Sequence, residues 1–270
     1  MRDAESESLL SAPNGVAKDE AATENQHIKM QNYCKTIGAL AAATALVAGN
    51  AQAEVEYELH TGYTSEYLFR GTNLGSDLAE VGLDAAYEWD GLSISGGAWA
   101  AAFDSAATAD DVDSEIDLYV EVGKDWGFLT TSVGYIYYYN GLSSEYGNIF
   151  RDTQEVYGSI SHDFGFINAY LTYFWDVSGD NDGYSELGVS KAFELNSCLT
   201  LNLSSNVGYL VEQGKATAIT TKAALDWGFS EHAKISPFAA LSIALSDDID
   251  TAYYQSKNEL VGGAMLTVSF

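Results

Sequence analysis

From Glu54 to the carboxy terminus the apolar residues recur at every second position and never at every 3.6, so the chain must build extended strands with one apolar and one wet face. Leu199-Thr-Leu-Asn-Leu-Ser-Ser-Asn-Val-Gly-Tyr209 is the cleanest case. Leu199, Leu201, Leu203, Val207 and Tyr209 share one side, while Thr200, Asn202, Ser204 and Asn206 share the other. Ile116, Leu118, Val120 and Val122 alternate with Glu115, Asp117, Tyr119 and Glu121 in the same way. Ile219, Thr221, Ala223, Leu225 and Trp227 alternate with Thr220, Lys222 and Asp226. Carboxylates on the second face exclude a dry sandwich core there, because an unpaired charge is too costly to bury.

About twelve segments follow this rule, near 54–69, 78–89, 92–103, 114–125, 128–139, 152–163, 166–176, 184–194, 199–210, 217–228, 234–245 and 256–270. Each is close to the ~9–11 residues that a tilted strand needs to cross a bilayer. Their connections alternate in length. Short ones fall at Asp90-Gly91, Asp125 to Gly127, Asp163 to Gly165, Leu195 to Cys198 and Gly228 to Ala233; longer polar ones fall at 70–77, 104–113, 140–151, 177–183, 211–216 and 246–255. Outer-membrane barrels show this asymmetry, with tight periplasmic turns and longer external loops.

A weak repeat marks the short-turn side: Glu88-Trp-Asp-Gly91, Asp125-Trp-Gly-Phe128, Asp163-Phe-Gly-Phe166 and Asp226-Trp-Gly-Phe229. One hairpin spacing sets all four aromatic clusters at one height, as an interfacial girdle. Leu266, Val268 and Phe270 end the chain on one face, with Thr267 and Ser269 on the other. A terminal aromatic on an amphipathic strand is the kind of signal that the barrel-assembly machinery reads. The expectation is an all-β fold: a transmembrane antiparallel up-and-down β-barrel of about 12 strands, with both ends periplasmic, in a Gram-negative outer membrane. Its surroundings are then outer-membrane lipid and lipopolysaccharide. Its oligomeric state is open, a homo-oligomer included.

The first 53 residues lie outside that fold. Residues 1–29 are polar and without apolar period, an upstream extension. Met30 to Lys35 is short and cationic, Ile37 to Gly49 is apolar, and Ala51-Gln52-Ala53 is a small-x-small site, so 30–53 is expected to be a signal peptide cleaved after Ala53. The apolar run is too short to span ~30 Å of hydrocarbon as a helix. Without residues 1–53 the chain keeps 8 basic against 33 acidic residues, a formal −25. That disfavours nucleic acid, whose phosphates need clustered Lys and Arg. Cys34 leaves with the signal peptide and Cys198 remains alone, so no internal disulfide holds the fold.

Ser65-Glu66-Tyr67-Leu68-Phe69-Arg70-Gly71, followed by the Gly82 to Tyr87 strand and the terminal Phe270, resembles the start and frame of the TorF-like family of outer-membrane porins. There a Ser-Asp-Tyr-x-Phe-Arg-Gly segment ends the first strand; here Glu66 replaces the Asp. The resemblance implies an outer-membrane pore and brings no catalytic residues.

With the apolar face toward lipid, the interior is expected to receive Glu80, Asp84, Glu88, Glu115, Asp117, Glu121, Glu155, Asp176, Glu186 and Asp226, balanced by few cations such as Lys222. An unbalanced acidic wall attracts positive charge. The functional expectation is passive diffusion of small solutes or ions, cation-favouring. The alternative is a closed or nearly closed barrel with a structural or loop-binding role, since ~12 strands enclose a backbone radius of only about 12 Å and inward side chains fill much of it. Arg70 and Arg151, beside long loops, are expected at the outer mouth as constriction or ion-pair residues.

The runs Asp110-Asp-Val-Asp113, Asp180-Asn-Asp-Gly183 and Asp247-Asp-Ile-Asp250 are expected to be solvated acidic loops. They lack full EF-hand spacing, and no metal or cofactor is assigned. His60, His162 and His232 are scattered, with no Gly-x-Ser-x-Gly and no His-Glu-x-x-His, so no catalytic residue is assigned either.

Overall fold

The computed structural model describes residues 55–105, 112–140, 152–179, 183–246, 249 and 257–270. The expected extension, signal peptide and Arg151, with most of the three acidic loops, lie outside these residues. The first six strands are β1 (Val55–Phe69), β2 (Thr72–Trp89), β3 (Leu92–Ser105), β4 (Val112–Asp125), β5 (Thr130–Asn140) and β6 (Thr153–Asp163). The other six are β7 (Asn168–Asp176), β8 (Tyr184–Asn196), β9 (Leu199–Leu210), β10 (Lys215–Ser230), β11 (Ala233–Ala244) and β12 (Glu259–Ser269).

Each strand pairs antiparallel with its sequence neighbours, and β12 pairs with β1, so the sheet closes into a barrel. Phe270 donates its N–H to the Tyr57 carbonyl at 2.9 Å at the seam. Closure leaves no unpaired edge, which is the condition for a sheet to stand in hydrocarbon.

The expected alternation holds. Ile116, Leu118, Val120 and Val122 point outward and are exposed, as are Ile219, Trp227, Leu241 and Ile243. Trp89, Trp126, Phe128, Phe164, Phe166, Trp227 and Phe229 are each more than half exposed and stand beside the β2–β3, β4–β5, β6–β7 and β10–β11 connections, all at one end of the barrel. The β4–β5 and β6–β7 turns share one chemistry: Gly127 N–H donates to Asp125 Oδ1 and Gly165 N–H to Asp163 Oδ1, both at 2.7 Å. Both glycines sit at φ 82°, where a side chain would be strained.

Two connections differ from expectation. Residues 70–77 are not an external loop, because β1 and β2 meet in a two-residue turn at Arg70 (φ 52°) and Gly71 (φ 83°). Two successive positive φ angles define the hairpin turn whose twist suits its strands. The β9–β10 connection is likewise short, Val211 to Gly214, and Gly214 N–H bonds the Val211 carbonyl at 3.2 Å.

Candidate functional site

The upper part of the β1–β2 hairpin has left the barrel wall. β12 pairs with β1 only as far as Thr64, and β3 pairs with β2 only from Gly75 onward. Between those points β1 and β2 pair with each other alone, and a register shift falls between Tyr67 and Leu68. Such irregularities bend a strand, and here the tip turns inward.

Three sets of contacts reach strands that are not neighbours of β1 or β2. Arg70 Nη1 and Nη2 donate to Glu155 Oε1 and Oε2 on β6 at 2.7 and 2.6 Å. The same guanidinium lies 4.5 Å from the Phe174 ring centroid on β7, 4.6 Å from Tyr184 on β8 and 4.7 Å from Phe69. Gly71 lies against Ala218 of β10, so closely that a Cβ on Gly71 would stand 2.6 Å from the Ala218 Cβ. The turn therefore bridges the interior, and Arg70 is its keystone: both members of the ion pair are 8% exposed. Tyr138 donates a further 2.9 Å bond to Glu155, and Ile249 of the β11–β12 connection is buried with Tyr184 and Leu210 at this level.

Next to the pair stands a second carboxylate group. Glu115, 6% exposed, accepts from the Tyr67 hydroxyl at 2.8 Å, under an apolar cluster of Leu78, Ala101 and Phe103 packed by Tyr67 and Trp99. Asp117 follows on the same face, and its Oδ1 is buried without a hydrogen-bond partner.

Elsewhere the wall repeats one device: an aromatic ring lies on a glycine of the next strand and donates to a carboxylate. Tyr119 of β4 lies over Gly97 of β3 and donates to Asp84 of β2. Tyr157 of β6 lies over Gly134 of β5 and donates to Glu121 of β4 at 2.8 Å. Tyr170 of β7 lies over Gly188 of β8 and donates to Glu186 at 2.5 Å. A Cβ on any of these glycines would fall 2.2–2.7 Å from ring atoms. Glycine is thus required for the rings to lie along the wall instead of across the axis.

The remaining expected positions are placed as follows. Glu80 accepts from Trp99 Nε1 at 2.6 Å. Lys222 lies 4.1 Å from the Phe238 ring centroid, and Asp226 pairs with Lys234 at 3.5 Å. Glu88 is exposed near the short-turn end. Asp176, although on the same face, caps the turn after β7 by accepting from the Ser178 and Gly179 N–H groups at 2.7 and 3.1 Å. Sequence reasoning passed over the aromatic partners Tyr67, Trp99, Tyr138, Phe174 and Tyr184. It also missed Glu58, which faces Asp84 across the β1–β2 ladder beside His60.

A closed twelve-strand barrel, apolar outside and acidic within, defines an outer-membrane β-barrel protein of the Gram-negative type. Residues 48–267 match the family described as "Bacterial protein of unknown function (Gcw_chp)", and the chain belongs to it. Among solved structures it is similar to an outer membrane channel from Pseudomonas putida F1, with TM-score 0.52 and 9% identity over 82% of this chain and 97% of that one. It is also similar to LpxR from Salmonella typhimurium, with TM-score 0.50 and 10% identity over 78% of this chain and 99% of that one. Both are likenesses of fold. No curated protein matches the sequence.

Proposed function

We propose that this protein is a porin-like channel through which small solutes or ions diffuse, with a preference for cations, and that its narrowest level is the tip of the β1–β2 hairpin. The observation that carries the reading is the composition of the interior wall. Glu80, Asp84, Glu115, Asp117, Glu121, Glu155, Glu186 and Asp226 meet few cations there, and the tyrosines that bond to Asp84, Glu121 and Glu186 lie flat on glycines. Fixed negative charge in a low-dielectric ring raises the local concentration of cations and repels anions. The similar fold of the Pseudomonas putida outer membrane channel supports the same reading. So does the TorF-like segment Ser65 to Gly71, which is the inward hairpin tip itself.

A second reading rests on that tip: Arg70 tied to the far wall would hold the outer mouth shut and leave the barrel a structural or loop-binding role. Reversal potentials of the refolded protein in planar bilayers under a KCl gradient test both. Cation-selective steps in wild type support the channel; anion preference rejects the selectivity; steps absent from wild type but present in Arg70→Ala support the closed mouth, and absence of steps in both rejects the channel and the Arg70 closure alike.

Two further parts of the proposal concern delivery and chemistry. Phe270 engages the barrel-assembly machinery, and the exported protein begins at Glu54, which amino-terminal sequencing of outer-membrane material would check. We assign no reaction to the barrel, and turnover of phospholipid micelles would overturn that.

A further inference from the structure

We propose that Glu58, His60 and Asp84 form a binding site for a first-row divalent cation, of which Zn²⁺ is the representative, on the interior wall near the short-turn end of the barrel. The three side chains share one face of one hairpin: Glu58 stands opposite Asp84 in the β1–β2 ladder, and His60 stands opposite Gly82. Their donor atoms all lie within 4.8 Å of one another, and His60 Nδ1 is 3.2 Å from Asp84 Oδ2. Ligands held ~2.0–2.2 Å from one ion in tetrahedral or octahedral arrangement are about 3.0–3.5 Å apart, so the imidazole and the aspartate already have the bite of a chelate. Glu58 completes the set through a rotation of its long side chain.

Two neighbours and the local charge support the site. The imidazole rests on Gly82, where a Cβ would come 2.2 Å from Nε2, so the ring is seated by the absence of a side chain and turns Nδ1 toward Asp84. Tyr119 donates to the other Asp84 oxygen, Oδ1, the outer bond that orients a ligating carboxylate. Charge is also unbalanced: among the described residues no lysine or arginine is ion-paired with Glu58 or Asp84. An imidazole nitrogen with two carboxylates suits Zn²⁺, Co²⁺ or Ni²⁺ better than Ca²⁺, which takes oxygen ligands in larger number. Binding requires an unprotonated Nδ1, and any proton there passes to solvent as the metal–nitrogen bond forms. The site is open to the interior, since the His60 and Asp84 side chains are 17% and 36% exposed.

Titration of the metal-stripped, detergent-solubilised protein with Zn²⁺ in excess Ca²⁺ tests the inference, the Ca²⁺ filling oxygen-only sites in the acidic loops. One equivalent of Zn²⁺ is expected to bind, with affinity reduced by about tenfold or more in His60→Ala and in Asp84→Asn, and less in Tyr119→Phe. Co²⁺ added to wild type, a measurement that needs no variant, should give visible d–d absorption that Zn²⁺ abolishes. Absence of that absorption in folded wild type, or Zn²⁺ affinity unchanged in folded His60→Ala, would overturn the site. Neither readout depends on conductance, so the result stands apart from the channel reading.

Discussion

Arg70 and Glu155 are 85 residues apart in the chain and belong to elements far apart around the barrel, yet they form a two-pronged, buried ion pair of 2.7 and 2.6 Å inside it. The pair holds because the β1–β2 hairpin leaves the wall above Thr64 and Gly75 and bends inward at the Tyr67/Leu68 irregularity. Three aromatic rings then enclose the guanidinium. Removing one partner of such a buried pair leaves the other charge uncompensated, at a cost of about 3–5 kcal/mol.

Arg70→Ala should therefore release the hairpin tip while the wall, which does not depend on it for strand pairing, stays intact. Single-channel conductance in planar bilayers is expected to rise, about twofold or more on the cross-section the tip occupies. Glu155→Gln should act in the same direction, and the double variant should resemble either single one, since both remove the same tie. Unchanged conductance in all three would show that the tip does not limit passage.

The strands and tight turns of this barrel were legible because their causes are local. Side-chain alternation needs only the next residue but one, and the Asp125 and Asp163 turns are built by an aspartate and a glycine two positions on. The hairpin tip was not legible, because its turn breaks the usual chemistry. Arginine occupies a left-handed position at φ 52° where Asn or Asp would announce a two-residue turn, so residues 70–77 read as a polar loop. That error displaces the whole β1–β2 register, and with it the pairing of Glu58 with Asp84. The Arg70–Glu155 pair had no local signature at all.

Gly71 tests the docking of the tip from its other side. At φ +83°, with a Cβ destined to fall 2.6 Å from that of Ala218, Gly71→Val should cost about 1–2 kcal/mol in backbone strain and push the turn off β10. Faster cleavage near Arg70 by trypsin, with the barrel otherwise resistant, is the expected outcome. A cleavage rate equal to that of wild type would mean that the turn is not seated on Ala218.

Charge selectivity should follow the buried carboxylates. Glu115→Gln combined with Asp117→Asn replaces two carboxyl groups beside the Tyr67 and Arg70 level with amides and keeps side-chain volume. The reversal potential under a KCl gradient should then move toward zero, with heat-modifiable gel mobility unchanged to show an intact barrel. A reversal potential that does not move would place the selectivity elsewhere.

The ring-on-glycine device gives the sharpest contrast, because two glycines of the same region differ in what faces them. A Cβ on Gly134 would stand 2.2 Å from Tyr157 Cζ, whereas one on Gly158 would meet nothing nearer than the Ser132 carbonyl oxygen at 3.9 Å. Gly134→Ala should force Tyr157 away from the wall and from Glu121, with the ~1–3 kcal/mol penalty of overpacking and a lower conductance as the ring swings toward the axis. Gly158→Ala should leave both properties unchanged, since its methyl enters ordinary contact distance. Urea unfolding from lipid vesicles alongside single-channel recording would separate the two. Equal behaviour of the two variants would mean that Tyr157 is free to adapt in place, and that glycine is not what keeps the rings clear of the channel.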